Sequence, residues 1–179
     1  MADLVDLILS VEQLPVPRAS NVVPGRPGYY SIWIDDPDAL PGIYAEYLRE
    51  QHTQLIYVGI ASQSLQERLI QQDLYHNRPS TFFRGLGAIL GYRPPRGSLV
   101  GKKNQNNYKF SGHDTLAAVA WIESHLSVGV IEEAPTDSRR EAGAITRLCP
   151  VLNTDHNPRA LKELAQLRLE CREIARSVA

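Results

Sequence analysis

The 179-residue sequence is poor in cysteine and has no long apolar run. Its two cysteines lie outside any CxxC pair, which excludes a disulfide framework and favours buried thiols in a reducing compartment. No apolar stretch approaches the roughly 20 residues that cross a bilayer. The N-terminal segment MADLVDLILSVEQL lacks the basic start of a secretory signal, so we expect a cytoplasmic protein. The five histidines show no metal-ligand spacing, which argues against zinc: His52, His76, His113, His125 and His156.

Acidic residues are also missing between Asp73 and Asp114, although the net charge of the chain is only −1. This window holds seven basic residues, namely Arg78, Arg84, Arg93, Arg96, Lys102, Lys103 and Lys109. Uncompensated cations attract phosphates, so the window predicts nucleic-acid binding. The residues expected to bind are Arg84, Arg93, Arg96, Lys102, Lys103 and Lys109. A solvated basic loop, with partner acids elsewhere in the fold, is the alternative.

Periodicity predicts three short strands with helices around them. The strands are YYSIWI at 29–34, LIYVGIA at 55–61 and LSVGVIEEA at 126–134. Helices are predicted at the N-terminus, at 43–51, 64–74, 80–91, 111–126 and 136–148, and in a last helix that starts at Asn157. Capping boxes are predicted for two of them, Ser64 with Glu67 and Ser138 with Glu141. The Pro/Gly-rich segment 14–28 is a predicted connector.

Three motifs follow one another in a fixed order. Gly28-Tyr29-Tyr30 opens the first strand, and Tyr57-Val58-Gly59 lies in the second. Arg68 is in the helix directly after it. Much later, EAGAITRLCPVLN begins a helix with Glu141 and places Asn153 twelve residues on. This ordered set, over residues 28–153, resembles the GIY-YIG endonuclease superfamily.

The resemblance implies a fold and an activity. The fold is α/β (α+β), a small three-stranded antiparallel sheet flanked by helices, with the nuclease domain at 25–155. Residues 1–24 would be an N-terminal helix and linker, and 156–179 a C-terminal helix packed on the domain. The activity would be Mg²⁺- or Mn²⁺-dependent endonucleolytic hydrolysis of DNA, with RNA not excluded. Catalytic residues would be Tyr30, Tyr57, Arg68 and Glu141, with Gly59, Gln72, His76 and Asn153 in supporting positions.

The chemistry of these residue types fits phosphodiester hydrolysis. Mg²⁺ keeps most of its waters and uses few protein ligands, so the single carboxylate of Glu141 can hold it. The guanidinium fork of Arg68 suits phosphate oxygens. A tyrosine hydroxyl can deprotonate a water only if nearby positive charge lowers its pKa from about 10, which is a hypothesis for Tyr30 and Tyr57.

A literal Gly42-Ile43-Tyr44 competes with Gly28-Tyr29-Tyr30 for the first motif. It lies in a segment of helical periodicity directly after a breaker, whereas residues 29–34 alternate as a strand does. Tyr30 is therefore the predicted motif tyrosine, although the interval from Tyr44 to Tyr57 is closer to the usual family spacing. Its choice requires an insertion between the two strands.

One departure from the family leaves a second function open. Many members carry His or Tyr one turn after the arginine, where this chain has Gln72, which cannot titrate. The alternative is a non-catalytic nucleic-acid-binding module that keeps the fold. A homodimer through the terminal helices is compatible with both functions. Arginines repeat every fourth residue in the last helix, where they could contact DNA or pair with its glutamates. The second alternative is the one expected: Arg168, Arg172 and Arg176 with Glu163, Glu170 and Glu173.

Overall fold

The computed structural model describes residues 2–135 and 137–178, and its centre is a four-stranded antiparallel sheet. The strands are β1 (Leu14–Pro15), β2 (Gly28–Ile34), β3 (Leu55–Ala61) and β4 (Leu126–Ile131). Their order in the sheet is β1-β4-β2-β3. Every residue of β2 is buried, because this strand lies between two neighbours and is covered on both faces.

The prediction of three strands is wrong, because the sheet has four. The predicted connector contains β1, in which Leu14 and Pro15 pair with Val128 and Ser127 of β4. Proline has no N–H to donate, so it is tolerated only where a strand has an open side, as β1 has at the sheet edge. The density of proline in this segment therefore concealed a strand.

Seven α-helices surround the sheet within the described residues. They are α1 (Leu4–Ser10), α2 (Val16–Val22), α3 (Ile43–Glu50), α4 (Thr81–Ile89), α5 (Gly112–His125), α6 (Arg139–Leu148) and α7 (Lys162–Arg176). A short 3₁₀ turn, Pro37–Ala39, precedes α3, and a π-helix, Gln66–Leu74, follows β3. The predicted connector also contains α2, whose proline stands in the first turn, where a missing N–H costs nothing.

Two apolar clusters cover the two faces of the sheet. The larger contains Tyr30 and Tyr57 and includes Leu164, Cys171 and Ala175 of α7. The smaller contains Tyr29 and is completed by α1 and α6. The terminal helices thus pack on the sheet domain, each on a different face.

Several predicted helix ends differ from the structure. The last helix begins at Lys162 instead of Asn157, because the Asn157 side chain donates to the carbonyl oxygens of Pro150 and Asn153 and fixes a turn. Ser64 does cap its helix, since its Oγ accepts from the Glu67 N–H at 3.1 Å. Ser138 makes no capping hydrogen bond, so the second capping box is wrong.

The arginines of α7 do not pair with its glutamates as predicted. Arg176 donates to the carbonyl oxygen of Gln105, and Glu170 pairs with Arg93 instead. Within residues 2–135 and 137–178, no helix is long and apolar enough to cross a membrane.

Candidate active site

The π-helix brings together two charged residues that an α-helix would separate. A π-helix closes hydrogen bonds from residue i to i+5, as between the Ile70 carbonyl and the Tyr75 N–H at 3.0 Å. Arg68 and Asp73 are five residues apart, and this winding puts them on the same side of the helix. The Arg68 Nη1 donates to the Asp73 Oδ1 at 2.6 Å.

Asp73 is fully buried and accepts hydrogen bonds from three side chains. Besides Arg68, the Tyr30 hydroxyl donates to Oδ2 at 2.5 Å and the Ser80 hydroxyl to Oδ1 at 2.6 Å. Burial raises the pKa of Asp73, while the Arg68 charge and the two hydroxyl donors oppose that shift. The carboxylate thereby fixes the positions of a strand tyrosine, a helix arginine and the residue that caps α4.

Tyr30 reaches Asp73 across a glycine of the neighbouring strand. Tyr30 of β2 is directly opposite Gly59 of β3. A Cβ at Gly59 would lie 2.2 Å from the Tyr30 ring, so only glycine leaves room for that ring. The glycine of the Tyr57-Val58-Gly59 motif therefore has a packing reason. Burial, together with the Asp73 charge, raises the pKa of Tyr30 well above its usual value.

Tyr57 lies on the same face of the sheet, two residues before Gly59. Its ring centroid is 6.3 Å from that of Tyr30 and 5.2 Å from that of Phe82. Burial raises the pKa of Tyr57, with a further increase from Asp73, and the charge of Arg68 does not offset this. The Arg68 charge lowers the pKa of both tyrosines, but burial and the Asp73 charge outweigh it, so the net shift is upward.

Glu141 is in the first turn of α6, which packs on α1 and on β3, the edge strand of the sheet. Its side chain is half-buried, and this burial raises the pKa of Glu141 to about 7. The charges of Arg68, which lowers this pKa, and of Asp73, which raises it, both act on the carboxylate. Glu141 also raises the pKa of Tyr57. The four predicted catalytic residues thus interact either by contact or through their charges.

The donor set at Glu141 suits an ion that keeps its water. Within the described part of the chain, no group of three or more His, Cys, Asp or Glu side chains could hold a metal ion. A transition-metal site of the zinc type needs such a group, whereas Mg²⁺ binds through one or two carboxylates, water and substrate phosphate. A single half-buried carboxylate fits the second kind of ion.

A polar cleft of about 330 Å³ opens beside Arg68. The Arg68 side chain keeps 31% of its surface exposed, so its remaining donors are accessible. Serine, glutamine and asparagine side chains and a second arginine line the rest: Ser62, Gln63, Ser64, Gln71, Gln72, Asn77 and Arg78, together with Ile60 and Glu67. Such a lining offers hydrogen-bond donors to an anionic ligand.

Two predicted supporting residues, Gln72 and His76, make their contacts with groups other than Arg68 and Asp73. The Gln72 amide lines the cleft but donates to the carbonyl of Pro79 at 2.8 Å. His76 stacks on Phe83 with ring centroids 4.3 Å apart, and burial lowers its pKa to about 4. The charges that act on His76 belong to Arg84 and Lys109, which places it towards the basic segment.

Asn153 has a structural contact with the edge strand. Its Oδ1 accepts from the Val58 N–H and its Nδ2 donates to the Val58 carbonyl, both at 2.9 Å. The adjacent Leu152 N–H donates to the Ile56 carbonyl at 2.9 Å. Asn153 therefore pairs with backbone groups on the open edge of β3, the strand that carries Tyr57. This contact holds β3 in place.

The basic residues predicted to bind nucleic acid differ in whether they form an ion pair within the protein. Arg93 is held by Glu170 and by the Ala88 carbonyl. Among the described residues, no ion pair involves the other five, Arg84, Arg96, Lys102, Lys103 and Lys109. The three lysines line one groove together.

The literal Gly42-Ile43-Tyr44 triplet lies at the start of α3, as its helical periodicity predicts. Tyr44 is buried there among core residues, on no strand. Tyr30 is on β2 next to the motif strand β3, and the insertion between the two strands contains α3.

Asp73 and Ser80 are the residues that sequence reasoning missed. Asp73 follows Arg68 by five residues, a spacing that has no meaning at 3.6 residues per turn. Its signal is a lone acid beside Leu74 at the buried end of an amphipathic segment. Ser80 offered a better signal, since a serine before TFFRGLGAIL is a recognisable helix cap.

The GIY-YIG catalytic domain model matches residues 28–171. The match begins at the first residue of β2, and it extends past α6 into α7. No curated protein and no solved structure matches the chain. Since the family match spans most of the sequence, the chain belongs to the GIY-YIG family of nuclease domains.

Proposed function

We propose that the protein is a metal-dependent endonuclease that hydrolyses phosphodiester bonds in DNA. The observation that carries the proposal is Arg68, which Asp73 holds in place at the border of a polar cleft in a domain of a nuclease family. The raised pKa of Glu141, about 7, on which the charges of Arg68 and Asp73 act, supports it.

Arg68 is the residue proposed to bind the scissile phosphate. A guanidinium has five N–H donors, and its bond to Asp73 orients it without using them all. The donors on the cleft side can form charge-assisted hydrogen bonds with phosphate oxygens. Asp73 is then a positioning residue, and so is Tyr30, whose hydroxyl is committed to Asp73.

Glu141 is the residue proposed to hold the divalent ion, Mg²⁺ or Mn²⁺. When bound, such an ion supplies positive charge beside the phosphate and makes a water more acidic. Glu141 must lose its proton to bind a cation, so we expect metal affinity to rise as the pH approaches 7 from below.

Tyr57 is proposed to orient the attacking water. Its raised pKa keeps the phenol protonated near neutral pH, so it acts by hydrogen bonding and not as a phenolate. The basic residues at 84, 96, 102, 103 and 109, which form no ion pair with the described residues, would hold the nucleic-acid backbone. Homodimerisation through the terminal helices stays a prediction, which sedimentation of the protein at high concentration would test.

Cleavage of plasmid and branched DNA tests the proposal. With Mg²⁺ or Mn²⁺ we expect nicking by the wild type, and a loss of at least about a hundredfold in Glu141→Gln and Arg68→Ala, because single charge-stabilising groups contribute about that much. Glu46→Gln is a matched control, since Glu46 is an exposed acid in the first turn of another helix. Arg18→Ala, an exposed arginine of α2, controls for Arg68→Ala. Equal cleavage by all five folded proteins would refute the site.

A non-catalytic nucleic-acid-binding module is the second candidate. It is favoured by Gln72, which cannot transfer a proton, and by the hydrogen bonds of Tyr30 and Arg68 to Asp73, which occupy part of their donor capacity. This candidate predicts salt-sensitive binding of DNA or RNA without nicking by any divalent ion. Nicking that co-purifies with the protein and disappears in Glu141→Gln would eliminate it.

A further inference from the structure

Three arginines line a second cavity of about 280 Å³, between α4 and α7. Arg84 comes from α4, while Arg168 and Arg172 come from consecutive turns of α7. The other lining residues are neutral: Thr81, Asn106, Tyr108, Thr154 and Ala165. Among the described residues no carboxylate lines the cavity, so its three positive charges have no partner of opposite sign in that lining.

Two of these guanidinium groups are held in place by neutral partners. Arg168 donates from Nη1 to the Thr154 hydroxyl at 3.0 Å and from Nη2 to the Leu152 carbonyl at 3.2 Å. A Cβ at Gly85 would lie 2.6 Å from the Arg168 Nη2, so a glycine of α4 makes room for this side chain. Arg84 donates to Asn107 at 2.9 Å and stacks over the Tyr108 ring, 5.6 Å from its centroid. The positions of these two guanidinium groups are thus fixed by contacts within the protein.

Two of the arginines that line the cavity carry a buried donor without an acceptor in the described part of the chain. The Nε atoms of Arg168 and Arg172 are buried, and neither has a hydrogen-bond partner among the described residues. Buried donors are normally paired, and each one left unpaired costs about 1–3 kcal/mol. The two buried Nε atoms are closed to a ligand in the cavity, but an anion there would offset the charge of both guanidinium groups.

The three charges also repel one another. Burial lowers the pKa of Arg168 and the Arg84 charge lowers it further, against the opposing effects of Tyr108, Tyr57 and Asp155. Burial lowers the pKa of Arg84, and Arg172 lowers it further, against the opposing effect of Tyr108. Like charges kept together in a partly buried site indicate a surface built to receive negative charge.

The cavity adjoins the candidate active site through the first residues of α4. Ser80 donates to Asp73, Thr81 lines the cavity, and Phe82 packs against Tyr57. The positive charge of Arg168 also acts on Tyr57, whose pKa it lowers. Residues 80–82 thus connect the cavity with Asp73 and Tyr57.

We propose that the cavity formed by Arg84, Arg168 and Arg172 is a second phosphate site. It takes a backbone phosphate that lies near the scissile phosphate bound at Arg68, on the same nucleic-acid strand. This assignment rests on the proposed function. A phosphate could also enter as a free ion, so the test separates the two sources.

Arg172→Gln is the variant of choice, because Arg172 makes no hydrogen bond or ion pair with the described residues and its loss leaves the fold intact. Lys162→Gln is the matched control, with the same charge change on an exposed residue of the same helix that does not line the cavity. Binding of a labelled single-stranded DNA oligonucleotide is measured by anisotropy in EDTA, over a range of salt concentrations. No cleavage occurs under these conditions to complicate the measurement.

We expect Arg172→Gln to weaken oligonucleotide binding about tenfold, as the loss of one charge-assisted contact does. The slope of log K against log salt should fall in magnitude by about 0.7, the value for one phosphate contact on a single strand. Lys162→Gln should leave both quantities unchanged, and Arg172→Lys should keep the slope while recovering part of the affinity. If Arg172→Gln behaves as the Lys162→Gln control does, the proposal is overturned.

A calorimetric titration with inorganic phosphate supplies the second arm. Weaker phosphate binding in Arg172→Gln, with unchanged oligonucleotide binding, would indicate a free-anion site and would contradict the assignment to a nucleic-acid strand. The outcome is separable from that of the nuclease proposal. Arg172-dependent binding without any nicking would leave this site standing and remove the enzyme, whereas nicking with Arg172-independent binding would do the reverse.

Discussion

Two acidic side chains near Arg68 have opposite environments. Asp73 is fully buried, but three side chains donate hydrogen bonds to it. Glu141 is only half-buried, yet no described residue donates a hydrogen bond to its carboxylate, and its pKa rises to about 7. Burial with donors gives a carboxylate that organises its neighbours, whereas burial without donors gives one that favours a proton or a cation.

Of these two carboxylates, Asp73 has a structural role and Glu141 a proposed chemical one. Asp73 fixes Arg68, Tyr30 and the start of α4, so its removal should damage the fold. The ionised Glu141 carboxylate does not hold neighbouring side chains in place as Asp73 does. Its removal should therefore impair only the proposed reaction. The predictions below test this division from the largest expected effect to the smallest.

Asp73→Asn should lower the free energy of unfolding by about 2–4 kcal/mol, because it leaves Arg68 without its counter-charge. The lower part of that range allows for the 31% of the Arg68 side chain that stays exposed. Urea denaturation near pH 7 measures the loss. Asp38→Asn is the control, since Asp38 and its partner Arg49 are 66% and 55% exposed. This substitution should lower the free energy of unfolding by less than about 1 kcal/mol. Equal losses in the two variants would contradict the organising role of Asp73.

Glu141→Gln should stabilise the protein at high pH and leave it unchanged at low pH. Folding raises the pKa of Glu141 from 4.5 to about 7, so the folded state holds its proton more tightly than the unfolded state. The stability that this proton gives is complete below pH 4.5 and is lost as the pH rises through 7. At pH 8 the variant should therefore be more stable by about 1–3 kcal/mol, at roughly 1.4 kcal/mol per pKa unit.

Thermal or urea unfolding of both proteins at pH 4.5 and pH 8 checks this sign. Glu46→Gln, at an exposed position, should show no such difference. A variant that is less stable than the wild type at pH 8 would mean that the Glu141 carboxylate has a stabilising partner in the folded protein.

Tyr30→Phe should cost about 1.5–3 kcal/mol, because it removes one of three donors to the buried Asp73 carboxylate. Tyr47→Phe is the matched control. Tyr47 is also buried and its hydroxyl donates to the neutral Cys149 carbonyl at 2.8 Å, so it should cost only about 0.5–1.5 kcal/mol. A larger loss in Tyr47→Phe than in Tyr30→Phe would show that the Tyr30 bond adds little to the network.

The sequence was sufficient for the parts of the fold that have regular periodicity. Strands β2, β3 and β4 alternate or consist of β-formers, and α5 has an unbroken helical pattern after a serine cap. The choice of Gly28-Tyr29-Tyr30 over Gly42-Ile43-Tyr44 also followed from periodicity, and the structure places the two triplets on a strand and on a helix respectively.

What the sequence concealed depended on irregular backbone and on long-range contacts. Proline hid β1 and α2, and a π-helix gave Arg68 a partner five residues away instead of four. Gln72, one α-turn after Arg68, therefore faces Pro79, and Asp73 takes the place beside the arginine. The pKa values depend on burial, which no spacing reveals, so the raised values of Tyr57 and Glu141 could not be predicted.

A crystal soaked with Mn²⁺ at pH 8 tests the central claim most directly. We predict one anomalous peak at the Glu141 carboxylate, with water completing the coordination, and no peak there in Glu141→Gln crystals. A peak at another acidic residue, or cleavage of DNA by a protein whose Glu141 binds no ion, would contradict the account.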